Sequence, residues 1–528
     1  MKVNIEMNNK VNTKLQLFLV VLASSTSISN IFAYSHSHSF FRSRPIVTES
    51  TLEKSLSLYA WRHREEEDYK DKWIFAELSG FYYNSINHDR IAPYFLKDGK
   101  RSLLLGQNNT SDISTAWFLL GRNVTGNNTA NAFSGVFTAS PSRIAAGGAI
   151  NIHIDIERLL KTYTSLFNNW WLQIFTPVVY VNHRLDMREK DFNGPGLVLN
   201  VSGSTGATTI GFPNFISALN NPSWEFGKWS PCPMRKTGLG DIKILLAYDF
   251  IKDDNNACSL HKSDGSVYGA VYIPTTRGSH AHFVFEPTLG TGSHAGLAFG
   301  LQGERQLKAK SSHTLSVVGN VEATYLIPAQ ERRSFDLCLN GDWSRYLLIV
   351  NESTPRTQLF GINYLTQTAH VSPRAMFDLF IAMHYKYKKA SFEFGYNFWA
   401  RLAEHVGLPH CFNDNLQPQG IYDIHGRCSS ADIFTTDSNG TISSAELTPP
   451  NEPKSDPSFV TIKVTDFNTS SAACPSAVTS TFYVAADYRS TIEEYPFFIG
   501  MGIAYESSSR KRTALEQIGI WAKGSISF

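Results

Sequence analysis

The sequence has little charge and no apolar run long enough to cross a bilayer as a helix. Asp, Glu, Lys and Arg make up 18% of the 528 residues, against roughly 25% in ordinary soluble domains. The formal net charge is +2, so no overall basic field points to nucleic acid. The longest apolar stretch, residues 15–23, is about half the ~20 residues a membrane helix needs. None of the six cysteines stands in a CxxC pair, which removes the usual spacing of a structural zinc site. The GxSxG nucleophile elbow is absent, and Gly290-Thr291-Gly292 and Gly238-Leu239-Gly240 lack the lysine or helix of a phosphate loop. There is no low-complexity tract and no fixed-period repeat beyond hairpins.

Aromatic residues, by contrast, reach 13%, with 35 Phe and 22 Tyr, and the mean hydropathy is −0.19. A chain rich in aromatics, poor in charge and not very hydrophobic fits strands whose side chains face lipid and water alternately. Lys2, Lys10 and Lys14 precede the apolar stretch, and small or polar residues follow it to Ala33. That is the pattern of a secretory signal peptide cleaved after Ala33. The expected organisation is a signal peptide over 1–33, a periplasmic N-terminal segment or plug over 34–71, and a barrel over 72–528.

Two-residue alternation is the strongest signal. In 241–250, Ile242, Ile244, Leu246, Tyr248 and Phe250 fall opposite Asp241, Lys243 and Asp249. In 377–387, Phe377, Leu379, Ile381, Met383, Tyr385 and Tyr387 oppose Asp378, His384 and Lys386. A period of two means strand. Comparable runs at about 72–84, 143–156, 169–184, 264–274, 293–304, 312–327, 392–402, 478–488, 497–505 and 515–528 bring the count to twelve. Their length suits tilted strands crossing a membrane. Tyr325, Tyr385 and Tyr505 lie near the ends of apolar faces, as interfacial girdles do. With twelve strands, all connections at one end are short and most at the other are long. The predicted fold is therefore all-β: a closed antiparallel transmembrane β-barrel of about twelve strands, with short periplasmic turns and long extracellular loops. Counts of ten or fourteen remain open. The chain ends in alternating residues up to Phe528, and a terminal aromatic of this kind predicts recognition by the barrel-assembly machinery.

Function is expected on the inward face. The register places Glu77, His153, Asp155, Asp241, Lys243, Asp249, Glu304, Glu322, Asp378, His384, Glu393, Asn397, Arg401, Asp487, Glu506 and Lys523 there. Such groups either line a hydrated pore or pair across the wall of a filled barrel. Arg401 with Glu393 and Glu506 is the favoured cluster. His280, His282 and His294 have residue types that bind metal, but incidental loop histidines are the preferred reading. Hence no metal and no cofactor are expected. No nucleophile stands beside His153 and Asp155, so no enzyme is expected. In the long loop at about 404–477, Cys411 and Cys428 would close a short disulfide loop. Cys474 then stays unpaired or reaches Cys338 or Cys232.

The pieces Ser79-Gly80-Phe81-Tyr82-Tyr83, Asp89-Arg90-Ile91-Ala92-Pro93-Tyr94-Phe95 and Phe285-Glu286-Pro287-Thr288-Leu289-Gly290-Thr291-Gly292 carry a family likeness. So do Arg333-Ser334-Phe335-Asp336-Leu337, Ser344-Arg345-Tyr346, Phe394-Gly395-Tyr396-Asn397-Phe398-Trp399-Ala400-Arg401 and the ending from Gly519 to Phe528. On these motifs the chain resembles outer-membrane barrel proteins present in many copies in intracellular bacteria of the Dependentiae type. The resemblance implies an outer-membrane location and no catalytic residue. The functional expectation is a porin-like channel or small-solute transporter, with outer-membrane lipid and small solutes as partners. The alternative is a surface structural or adhesion protein with a plugged lumen and binding outer loops.

Overall fold

The structure, a computed structural model, describes residues 37–56, 71–106, 111–113, 134–160, 167–193, 197–203, 206–251, 263–310, 312–338, 340–351, 354–408, 421–423, 460–462, 464–508 and 513–528. Twelve strands form the wall. They are β1 Ile74–Ile86, β2 Ser142–Asp155, β3 Trp170–Arg184, β4 Ile242–Ile251, β5 Ser263–Ile273 and β6 Gly296–Lys310, then β7 His313–Leu326, β8 Arg374–Tyr387, β9 Ala390–Arg401, β10 Ala477–Ile492, β11 Tyr495–Ser508 and β12 Glu516–Ser527. Each pairs antiparallel with its sequence neighbour, and β12 returns to β1 with Phe75 opposite Ser527 and Ile86 opposite Glu516. The sheet is a closed up-and-down barrel with no free edge.

β4 begins at Ile242, where the alternation from 241 places it. The residues before it, Met234–Leu239, were left outside any strand in the sequence reading but also run along β3, from Met234 opposite His183 to Leu239 opposite Val178. Pro177 sits at the junction and has no N–H to donate. The ladder kinks there, and Gly240 N donates to Pro177 O at 2.6 Å.

Side chains alternate as the pattern requires. Leu78, Phe299, Phe392 and Met501 stand on the outer surface with more than half of their area exposed. Tyr325, Tyr385 and Tyr505 are also outward and exposed. So large an apolar outer face is unstable in water, and on a closed barrel it is the surface that meets lipid.

Inside, large rings lie flat over glycines on the next strand. Tyr268 covers Gly300, Tyr483 covers Gly395, Trp521 covers Gly502 and Tyr83 covers Gly519, each pair being direct cross-strand partners. A Cβ at any of these glycines would overlap the ring. The arrangement keeps bulky rings against the wall and leaves the axis free.

At the long-loop end, the connections build a cap with its own core, in which Phe95, Phe137, Phe215, Trp229, Phe285, Trp343 and Tyr346 are buried together. A small sheet of Ala329–Ser334, Thr366–Ser372 and His405–Gly407 forms part of it. The sequence reading had treated these stretches only as loops.

Substituting Gly395→Val should displace Tyr483 and destabilise the barrel by about 1–3 kcal/mol, the usual cost of overpacking. Thermal unfolding in detergent, read as loss of heat-modifiable migration, checks this. An unchanged midpoint would contradict the role assigned to the ring–glycine pairs.

Candidate functional site: the charged lumen and the segment inside it

Of the lumen candidates, all but Glu304 are buried. Glu304, opposite the inward Val318, is partly exposed near the short-turn end. Lys243 Nζ lies 2.8 Å from Glu322 Oε2, which also accepts from Tyr268 Oη at 2.8 Å, while Tyr272 Oη donates to Oε1 at 2.5 Å. Asn397 donates to Asp378 Oδ2 at 2.9 Å, and Ser391 to Asp487 Oδ1 at 2.5 Å. Lys523 lies 3.5 Å from Glu77. Asp249 accepts from Trp171 Nε1 at 3.1 Å, and His153 stacks on the same indole. Asp155 pairs with Arg158 at 3.3 Å, and His384 Nε2 lies 3.5 Å from Arg489. Asp241 Oδ2 accepts from Thr291 N at 2.5 Å.

The favoured cluster does not form. Arg401 donates Nη1 to the carbonyl of Arg42 at 2.6 Å. Glu393 accepts from Tyr483 Oη at 2.5 Å and from Leu56 N at 3.3 Å. Glu506 meets Arg44 at 3.4 Å. Glu393 and Arg401 stand eight residues apart on β9, roughly 26 Å at the strand rise, and Glu506 takes its cation from a segment elsewhere in the chain.

That segment is residues 37–56. It starts within the cap, where His38 N donates to Tyr94 O and Ser39 N to Ser471 O. It ends beside Glu393, close to the short turn that opens β9 at Ala390. Its apolar side chains Ile46, Val47, Leu52 and Leu56 pack among inward rings of the wall, including Phe81, Tyr83, Phe175 and Trp521. Pro45 carries φ −68° and precedes a single 3-10 turn, Ile46–Thr48. A short helix, Ser50–Glu53, follows.

Charges on the segment match charges on the wall and cap. Arg42 Nε donates to Glu404 at 2.7 Å, Nη2 to Glu331 at 3.1 Å and Nη1 to Thr291 O at 2.8 Å. Arg44 Nη2 donates to Asp378 at 3.0 Å and to Asn397 Oδ1 at 2.9 Å, while Nη1 faces Glu506 and Glu49. Glu53 lies 3.0 Å from Lys243. Lys54 donates to Asn320 and reaches Glu322 at 3.3 Å. Lys523 donates to the carbonyl of Ser55. Cavities left along the segment are about 10 Å³ each, room for roughly one water.

Sequence reasoning assigned no role to Arg42, Arg44, Glu49, Glu53 or Lys54, nor to Glu331, Arg333 and Glu404 in the cap. A signal was present. Among the inward candidates carboxylates far outnumber Lys and Arg, and buried charges of one sign need partners. The missing cations had to come from elsewhere in the chain.

Cys411 and Cys428 lie outside the described residues. Cys232 and Cys338 are exposed free thiols and Cys474 is a buried one, so Cys474 reaches neither of the others. Its thiol is pushed up to about 11 by burial and by the neighbouring Glu404. The rings of His280 and His282 are 5.9 Å apart. His294 is buried instead beside Glu331, at 3.2 Å.

Fold and lumen together define a membrane-spanning β-barrel, its interior polar and occupied by its own N-terminal segment. Its structural neighbours are outer-membrane barrels. An outer membrane channel from Pseudomonas putida is similar with a TM-score of 0.36 and 8% identity, over 87% of this chain and 96% of that one. The transport unit of the autotransporter AIDA-I from Escherichia coli gives 0.33 and 8%, over 92% and 99%. A Pseudomonas aeruginosa FadL homologue gives 0.26 and 8%, over 94% and 99%. Likeness at this level transfers no residue role. No family model and no curated protein matches the chain.

The Arg42 clamp has a defined pH range. Burial raises the Glu404 carboxyl, but Arg42 and Arg333 outweigh it and hold the group at about 2. Glu331 is likewise held well below the usual carboxylate range, against burial, by Arg333 and Arg42. A depressed folded-state value contributes stability that is fully present above the unfolded value near 4.5 and is lost progressively as pH falls from there through the folded one. Protection of the segment from protease should therefore not weaken from pH 8 to 5 and should fail as pH approaches 2. Release of the segment at pH 5 would contradict this.

Proposed function

We propose that the chain is an outer-membrane channel or small-solute transporter whose lumen is closed at rest by residues 37–56. One observation carries this reading. Among the described residues, no backbone ladder joins the segment to the barrel strands. Its attachments are the apolar contacts of Ile46, Val47, Leu52 and Leu56, side-chain ion pairs and hydrogen bonds, and a few bonds to single backbone groups. The wall closes on itself without it. Withdrawing the segment thus breaks no strand pairing and leaves a polar wall that water can solvate. A lumen needed only as a structural filling has no reason to present so many charged groups, whose burial costs more than apolar packing.

The proposal includes export by a signal peptide cleaved after Ala33, a Gram-negative envelope, and recognition of Phe528 by the assembly machinery. Phe528 is half-exposed, with its backbone bonded to Trp73 and Ile74. The proposal also keeps the resemblance to Dependentiae-type barrels, which rests on sequence motifs alone. A second reading, a surface protein with a permanently plugged lumen, draws on the compact aromatic cap at the long-loop end.

Conductance in planar bilayers separates them. The full chain should be mostly silent with rare openings, and a variant lacking residues 37–56 should show discrete steps at least tenfold more often. If that variant inserts and folds yet stays as silent as the full chain, the channel reading falls.

A further inference from the structure

Arg42 and Arg44 occupy two separate sites. Arg42 spends Nε and both terminal nitrogens on Glu404, Glu331 and the Thr291 carbonyl. Arg44 is held between Asp378, Asn397 and Glu506, with Trp399 5.4 Å from its guanidinium carbon. Forked, planar donors meeting carboxylates in this way are what distinguish a guanidinium from an ammonium. The two sites are two residues apart on the segment.

The acidic groups alone would not define a binding site, but the wall also reads peptide backbone. Arg401 is buried and donates Nη1 to the carbonyl of Arg42, between the two sites. Its Nε and Nη2 have no partner, and it lines the small cavity beside Arg42, Ser43 and Arg44. The unmet donors call for an oxygen acceptor, and the water-sized cavity beside them admits a single water or one carbonyl or carboxylate oxygen. The site is thus built for a peptide with two guanidinium side chains flanking one residue, and residues 42–44 fill it incompletely.

We propose that these positions are the solute-binding site of the barrel, that the solute class is a guanidinium-bearing peptide of the Arg-x-Arg type, and that Arg42-Ser43-Arg44 acts as a built-in stand-in for it. The proposal rests on the channel reading for its transport role, but binding is separable from conduction. Entering peptide would compete with the segment for the same carboxylates, so that binding and unplugging are one exchange.

The test uses the variant lacking residues 37–56, in detergent and in bilayers, with the probe Ala-Arg-Gly-Arg-Ala, which shares only the two arginines with the segment, and the controls Ala-Lys-Gly-Lys-Ala and Ala-Glu-Gly-Glu-Ala. Fluorescence anisotropy of labelled peptides should show the Arg probe binding at least tenfold more tightly than the Lys control, with no binding of the Glu control. Replacing Glu404→Gln and Asp378→Asn together should remove the preference. Equal affinity for Arg and Lys probes, or a preference that survives the double substitution, overturns the proposal. Selective binding to a variant that never conducts leaves the site standing and removes the channel reading. Conduction without selective binding does the reverse. If the deletion does not fold, a protease site placed at the exposed Asp71 of the full chain permits cleavage after folding. The Arg probe should then displace the cut segment on gel filtration at concentrations where the Lys control does not. Retention of the segment under both would overturn the proposal equally.

Discussion

The rest of the molecule depends on neutralising carboxylates inside a narrow barrel. Glu322, Asp378, Glu393 and Glu506 project from the wall into a space closed to bulk water. An unpaired buried carboxylate costs several kcal/mol, and the wall's own cations do not suffice. Lys243 serves Glu322 and Lys523 serves Glu77, but Asp378 and Glu506 obtain their cation from Arg44. The segment is held where it is because the wall needs its charges. The same argument explains the order of residues along it, with arginines at the cap end and Glu53 and Lys54 deeper, opposite Lys243 and Glu322.

The outer and inner faces answer to different solvents. Outward, lipid asks only for apolar surface and a closed hydrogen-bond ladder. Inward, the aromatics that fill most of the space are laid flat over glycines, which makes room for a chain along the axis. The segment begins in the cap, while β1 begins at the opposite, short-turn end. A charged segment does not pass through lipid, so it must enter through the barrel or be enclosed when β12 closes on β1.

Much of the fold was legible because the strand period is two and one face must be apolar. β8 and β9, with alternation from Phe377 to Arg401 and the short turn at Lys388 and Lys389, could be read residue by residue. The strand Met234–Leu239 ahead of β4 could not, because the ladder breaks opposite Pro177 on the neighbouring strand and no local signal in 234–239 says so. The cap was not legible either. Trp229, Trp343 and Tyr346 come from distant loops and meet only in three dimensions. The inward candidates other than Glu304 are buried, but Arg401, Glu393 and Glu506 were expected to pair and do not. Alternation tells which face a side chain takes and not how far apart along the barrel two of them stand. Arg42 and Arg44 lie outside any periodic pattern, and only the excess of inward acids pointed to a missing source of positive charge.

The central claim is that residues 37–56 reside inside the closed barrel, pinned to its wall. Hydrogen exchange of the detergent-solubilised full chain tests it most directly. The amides of Leu52, Glu53, Lys54 and Leu56 should exchange on the slow timescale of the wall strands, because each is bonded and shielded within the lumen. Complete exchange of these amides within seconds, with the strands still protected, would contradict the account.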